Sequence, residues 1–186
     1  MNRMRTLPLL LATVLALGAC ASTSSTHMLA ADAPRALPAA GPVSVSWEDP
    51  AQFSEIRYSG NRHEASEGDW LNDLATYLQQ EAEQTLPAGH QLELTILDVQ
   101  RAGRYEPWFG IDLHDTRIIR DIYPPRMTLR FRELDAAGTV VAEGERKLSD
   151  PGFLMNATQI SNSDLLRYEK RMIDSWLRSD WRTASR

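Results

Sequence analysis

Leu92-Glu93-Leu94-Thr95-Ile96-Leu97-Asp98-Val99 carries apolar side chains on both faces of an extended chain, Leu92, Leu94 and Ile96 on one and Leu97 and Val99 on the other. A strand apolar on both faces belongs inside a sheet rather than at its edge. Upstream, Val43-Ser44-Val45-Ser46-Trp47 alternates apolar and polar, the pattern of a half-buried first strand, and Asp49-Pro50 ends it. Between these strands Ser66 and Asp69 stand at capping-box spacing. Leu71, Leu74, Ala75, Leu78, Ala82 and Leu86 follow on one helical face, and Pro87 and Gly89 stop the helix. Downstream, Met127, Leu129 and Phe131 alternate with Thr128, Arg130 and Arg132, which predicts a third strand with one wet face. Asp135-Ala136-Ala137-Gly138 turns the chain into a fourth strand over 139–147. A second helix is expected over 163–177, with Leu165, Tyr168, Met172 and Trp176 as its stripe and Ile173 alongside. The order β-α-β-β-β-α predicts an α+β fold: a single four-stranded, mostly antiparallel sheet with two helices packed on one face.

The N-terminus predicts an address. Arg3 and Arg5 precede an apolar run over residues 7–17, short of the ~20 residues a membrane span needs but suited to a secretory signal. Leu17-Gly18-Ala19-Cys20 then presents small residues before the chain's single cysteine, the pattern of a bacterial lipoprotein signal. The expectation is a signal peptide over 1–19, lipid on Cys20, a flexible tether over 20–42 and one domain over 43–186. Ala21 rather than Asp after the cysteine resembles the enterobacterial sorting signal for the outer membrane, facing the periplasm. With Cys20 acylated no disulfide forms within the chain, so an apolar core must stabilise the fold. The formal charge is −5, and loss of Arg3 and Arg5 makes the mature chain more acidic. That excludes phosphate-driven nucleic-acid binding, and no basic stripe for an anionic surface is present. The expected partners are the membrane, through lipid on Cys20, and another envelope protein or a small ligand.

Residues 101–126 are the longest stretch without a periodic pattern. They hold Tyr105, Pro107, Trp108, Phe109, Tyr123, Pro124 and Pro125 beside Asp112, His114, Asp115, Arg117, Arg120 and Asp121. Loops of this length in a compact domain are usually functional. One reading is a partner or ligand surface built from Tyr105, Trp108, Phe109, Asp112, His114 and Arg117, since aromatic anchors beside charges are what recognition sites use. The other, preferred here, is an aromatic plug over one end of the sheet, with Asp112 and Arg117 paired on its surface.

Enzymatic signatures are sparse. There is no Gly-x-Ser-x-Gly elbow and no phosphate-binding glycine loop. His63-Glu64-Ala65-Ser66-Glu67 has metal-site spacing, but its ligands would have to share one helix face, and Gly60, Asn61 and Gly68 flank the segment. Asp112, His114 and Asp115 offer two oxygens and a nitrogen with no further ligand cluster in the sequence. His27 falls in the tether, and His90 beside Gly89 reads as turn polarity. No cofactor and no metal is expected. The function expected is a non-enzymatic binding or assembly domain at the outer membrane. The alternative is a metal-assisted periplasmic hydrolase using His63, Glu64 and Glu67 or Asp112, His114 and Asp115.

Several of these segments together resemble a known family. The first strand with Asp49-Pro50, the strand Leu92 to Val99 followed by Ala102-Gly103, Tyr123-Pro124-Pro125-Arg126, and the hairpin ending in Leu148-Ser149-Asp150 are similar to the proteobacterial envelope proteins grouped as domain of unknown function 3016. The resemblance covers residues 43–153 and implies a small envelope domain. It carries no catalytic motif.

Overall fold

The structure, a computed structural model, describes residues 29–30, 32–155 and 163–179. Cys20 and the predicted signal peptide lie outside the described residues. The elements run β1 (Val43–Trp47), α1 (Ser54–Arg57), α2 (Arg62–Ser66), α3 (Trp70–Thr85), β2 (Gln91–Gln100), β3 (Arg104–Tyr105), β4 (Arg117–Ile118), β5 (Arg126–Leu134), β6 (Val140–Ser149) and α4 (Arg167–Ser179). Four strands form one sheet in the order β1-β2-β5-β6. β1 pairs β2 in parallel, while β2–β5 and β5–β6 are antiparallel. The parallel pair follows from the connection: parallel neighbours need a crossover, and α3 supplies it. The α+β class, the mostly antiparallel sheet and the two long helices match the expectation from the sequence.

The core lies between the sheet and the two long helices. β1 contributes Val43, Val45 and Trp47, β2 Leu92, Leu94, Ile96 and Val99, and β5 Met127, Leu129 and Phe131. From the helices come Leu71, Leu74, Ala75 and Leu78 on α3, and Met172, Ile173, Trp176 and Leu177 on α4. Fully burying a side chain of this size contributes about 1.5–3 kcal/mol, so the layer supplies what an absent disulfide does not. Tyr77 Oη donates to Asp174 Oδ1 at 2.7 Å and ties α3 to α4.

β2 explains its own two-faced sequence. Its register with β5 slips between Ile96 and Asp98. The bulge returns Val99 to the face of Leu92, Leu94 and Ile96 and leaves Leu97 half-buried. The pattern is therefore one apolar face with an extra residue inserted, as β-bulges produce. The bulge also places the Asp98 carboxylate on α1, where it accepts from Ser54 N–H (2.6 Å) and Ser54 Oγ–H (2.7 Å). On the opposite face Arg130 and Arg132 are exposed as expected, and Arg132 Nη1 lies 3.3 Å from Glu93 Oε2.

Three local expectations are corrected. Ser66 belongs to α2 and its hydroxyl donates to the His63 carbonyl (2.8 Å), while Asp69 precedes α3 with no side-chain cap, so no capping box forms. Leu165 is 88% exposed because α4 begins at Arg167; Leu166, whose N–H is held by Asp164 Oδ1 at 2.8 Å, enters the core instead. His90 is more than turn polarity, since its Nδ1 lies 2.6 Å from Oε1 of the buried Glu133. In the stretch read as tether, Leu37 N–H donates to Val45 O and Trp47 N–H to Arg35 O (2.9 Å each), so residues 35–37 run along the outer edge of β1.

Candidate functional site

The 101–126 connection contains the short β3–β4 ladder, Arg104 opposite Ile118 and Tyr105 opposite Arg117, with two single 3-10 turns, Pro107–Phe109 and Ile111–Leu113, between its strands. Two glycines allow it to lie close to its neighbours. A Cβ at Gly60, in the turn after α1, would overlap the Tyr105 carbonyl. Gly103 has φ +80°, and a Cβ there would fall 2.7 Å from the Ile118 carbonyl oxygen.

A buried ion cluster fixes the connection to the sheet. Glu55, second residue of α1, is 5% exposed. It accepts Arg101 N–H (2.9 Å), Arg101 Nε–H (3.1 Å) and Arg101 Nη2–H (3.0 Å), and Arg117 Nη2–H from β4. Arg101 stacks on the Trp70 ring at 4.6 Å and donates to the Ala65 carbonyl at 3.2 Å. Arg117 stacks on the Tyr105 ring at 4.7 Å and donates to the carbonyls of Ala102 (3.4 Å) and Gly103 (3.3 Å). Burial pulls the Arg101 guanidinium below its ordinary value, opposed by Glu55. Glu169 on α4 completes the anchorage. It accepts the Ala102 N–H at 2.6 Å, and burial raises its carboxyl above the usual range against that bond and the charges of Arg101 and Arg117. Such a cluster is costly to break, because removing one partner strands a buried charge.

Above Glu55 and Arg117 opens a cleft of about 200 Å³, walled by Ser54, Tyr58, Arg104, Tyr105 and Tyr123, with Gly103 at its base. Tyr123 Oη–H donates to the buried Glu106 (2.7 Å), whose other oxygen lies 2.8 Å from Arg120 Nη2. Arg104 Nη2–H donates to the Tyr58 carbonyl at 2.9 Å, and its guanidinium lies 5.9 Å from the Trp108 ring.

The residues expected to act together therefore divide. Tyr105 and Arg117 meet in the cleft wall. Tyr105 is buried, as a plug would be, but Trp108 is 60% exposed and covers no core. Arg117 pairs with Glu55 rather than Asp112, because the β3–β4 ladder turns it inward; Asp112 is exposed. His114 Nε2 lies 2.9 Å from Asp115 Oδ1 at the surface, and Asn61 Nδ2–H bonds the same oxygen at 3.0 Å. Phe109 ends the first 3-10 turn; its side chain lies outside the described part, as Cys20 does. His63, largely exposed, lies 3.6 Å from Glu67. Among the described residues no group of three or more His, Cys, Asp or Glu side chains is arranged to hold a metal. Sequence reasoning missed Ser54, Glu55, Tyr58, Arg101 and Arg104. The one signal for Glu55 was an acid set between Phe53 and Ile56, both wholly buried.

No curated protein and no solved structure matches the chain. Residues 41–179, most of its length, match the family described as "Protein of unknown function (DUF3016)", and the chain belongs to that family.

Proposed function

We propose that this protein is a lipid-anchored envelope domain, held at the periplasmic face of the outer membrane by acyl chains on Cys20, that binds a small ligand in the cleft between α1 and the 101–126 connection. The observation that carries the binding reading is the cleft itself, which Tyr58, Arg104, Tyr105 and Arg117 line together. Both oxygens of Glu55, the one carboxylate lining the cleft, already accept hydrogen bonds from Arg101 and Arg117, so the free polar groups of the lining are donors and hydroxyls suited to holding a ligand. The anchor and the location rest on the Leu17-Gly18-Ala19-Cys20 pattern and on Ala21.

A melting-midpoint screen with inorganic phosphate, succinate, sn-glycerol 3-phosphate, glucosamine and dihexanoyl phosphatidylglycerol tests the site. A ligand of the native state raises the midpoint by mass action. At least one probe is expected to do so for the native chain and to lose most of that effect with Arg104→Gln. No shift from any probe, or a shift indifferent to Arg104→Gln, contradicts the reading.

A further inference from the structure

We infer that the cleft receives the anionic headgroup of a glycerophospholipid, with the start of its acyl region lying across the apolar rim. This rests on the reading of the cleft as a ligand site and names its ligand class.

The charge in the cleft has the sign for an anion. The chain as a whole is acidic, yet the wall carries Arg104 and Arg117 against the single carboxylate Glu55. That carboxylate is shared with Arg101 as well. Among the described residues Arg104 forms no ion pair, and of its terminal nitrogens only Nη2 donates a hydrogen bond, to the Tyr58 carbonyl. A guanidinium fork with a spare donor matches a phosphate oxygen in both charge and geometry. These cations come together only in the fold, from either side of the β3–β4 ladder, which is why no basic stripe shows in the sequence.

Exposed aromatic and aliphatic side chains adjoin the polar cleft. Tyr58, in the wall, is 62% exposed. Trp108, 60% exposed, sits beside Arg104, and the exposed Ile119 packs on Gly103 at the base. Exposed apolar side chains beside a polar pocket offer contact to a ligand that has an apolar part as well as a charged one. A free phosphate uses the arginines but leaves this rim in water, and a neutral amphiphile does the reverse. Only a ligand with both parts uses both, and a cleft of about 200 Å³ has room for a headgroup but not for the chains.

Calorimetric titration of the mature chain, residues 20–186 with Cys20→Ser so that no covalent acyl group competes, tests this. The probes are dihexanoyl phosphatidylglycerol below its micelle concentration, sn-glycerol 3-phosphate and hexyl glucoside. Phosphatidylglycerol is expected to bind at least about tenfold more tightly than either of the others, the scale that covering a small apolar rim supplies. Arg104→Gln should weaken both phosphate ligands about tenfold, and Trp108→Ala should weaken phosphatidylglycerol alone. Arg104→Lys keeps the charge without the fork and serves if the glutamine variant does not fold. Equal affinity for glycerol phosphate and phosphatidylglycerol overturns the lipid assignment and leaves the cleft a small-anion site. Equal affinity for hexyl glucoside and phosphatidylglycerol overturns the role of the anion. Absence of phosphatidylglycerol binding overturns the inference; the screen with the other probes then decides separately whether the cleft binds anything.

Discussion

Glu169 is the residue where burial and charge are most directly opposed. Its side chain is 1% exposed, one oxygen holds the Ala102 N–H, and the other has no hydrogen-bond partner among the described residues. Burial raises its pKa above the ordinary 4.5, so between the two values the folded chain holds a proton that the unfolded chain has released. The stabilisation this gives is complete below pH 4.5 and is lost as pH rises through the folded-state value. Glu169→Gln keeps the acceptor for Ala102 and removes the titration. Urea unfolding of both proteins across pH should therefore show the native chain losing ground to the variant as pH rises from 4.5. A stability difference independent of pH contradicts this assignment. Glu169 left no signal in the sequence, and Glu55 left only its place between Phe53 and Ile56. Glu169 shares α4 with a second acid, Asp174, and Glu55 lies in a four-residue helix and meets its partners 46 and 62 residues away.

At the level of elements, the connection stands close to α1 because Gly60 lets it. Gly60→Ala pushes a methyl group into the Tyr105 carbonyl, so it should destabilise the fold by about 1–3 kcal/mol, as overpacking does, and move β3 without altering any cleft side chain. Thermal melts together with the Tyr105 and Arg117 amide resonances check this, and an unchanged spectrum contradicts it. The legibility of elements followed their length. β1, β2, β5 and α3 each repeat a hydrophobic period several times, β6 is announced by the Asp135–Gly138 turn, and all were read with small errors at their ends. α1 and α2 have four and five residues and repeat no period. α1 is fixed from outside, by Asp98 across the β2 bulge. The bulge misled in turn, because one inserted residue makes a single apolar face read as two. In the 101–126 connection composition revealed an unusual segment and drew in Tyr105 and Arg117. It did not reveal that Arg117 turns inward to Glu55 while Trp108 stays in water, since that depends on a two-residue ladder.

For the whole molecule, the sheet, the helix pair and the buried ion cluster carry the cleft, and the expected anchor, Cys20, lies outside the described residues. Cys20→Ser should therefore change location without changing the fold. Cell fractionation is expected to move the protein from the membrane to the soluble periplasm, because two or three acyl chains hold a protein where one barely does. If the Cys20→Ser protein stays with membranes after a high-salt wash, the anchor lies elsewhere. The edge pairing of residues 35–37 with β1 also bears on where the fold begins. A chain starting at residue 41 loses the bonds to Val45 and Trp47 and uncovers the β1 edge, so it should melt below one starting at residue 29. Equal midpoints would mean the pairing adds nothing.

The central claim is that the cleft between α1 and the connection is where this protein meets its ligand, and an amide-resolved titration of the isotopically labelled native chain with sn-glycerol 3-phosphate and then dihexanoyl phosphatidylglycerol tests it most directly. The predicted result is that the shifted resonances concentrate in residues 54–59, 100–105, 117 and 123, with Trp108 and Ile119 joining them only for the lipid. Shifts centred on the polar sheet face around Glu93, Arg130 and Arg132, or scattered over the surface, would contradict it.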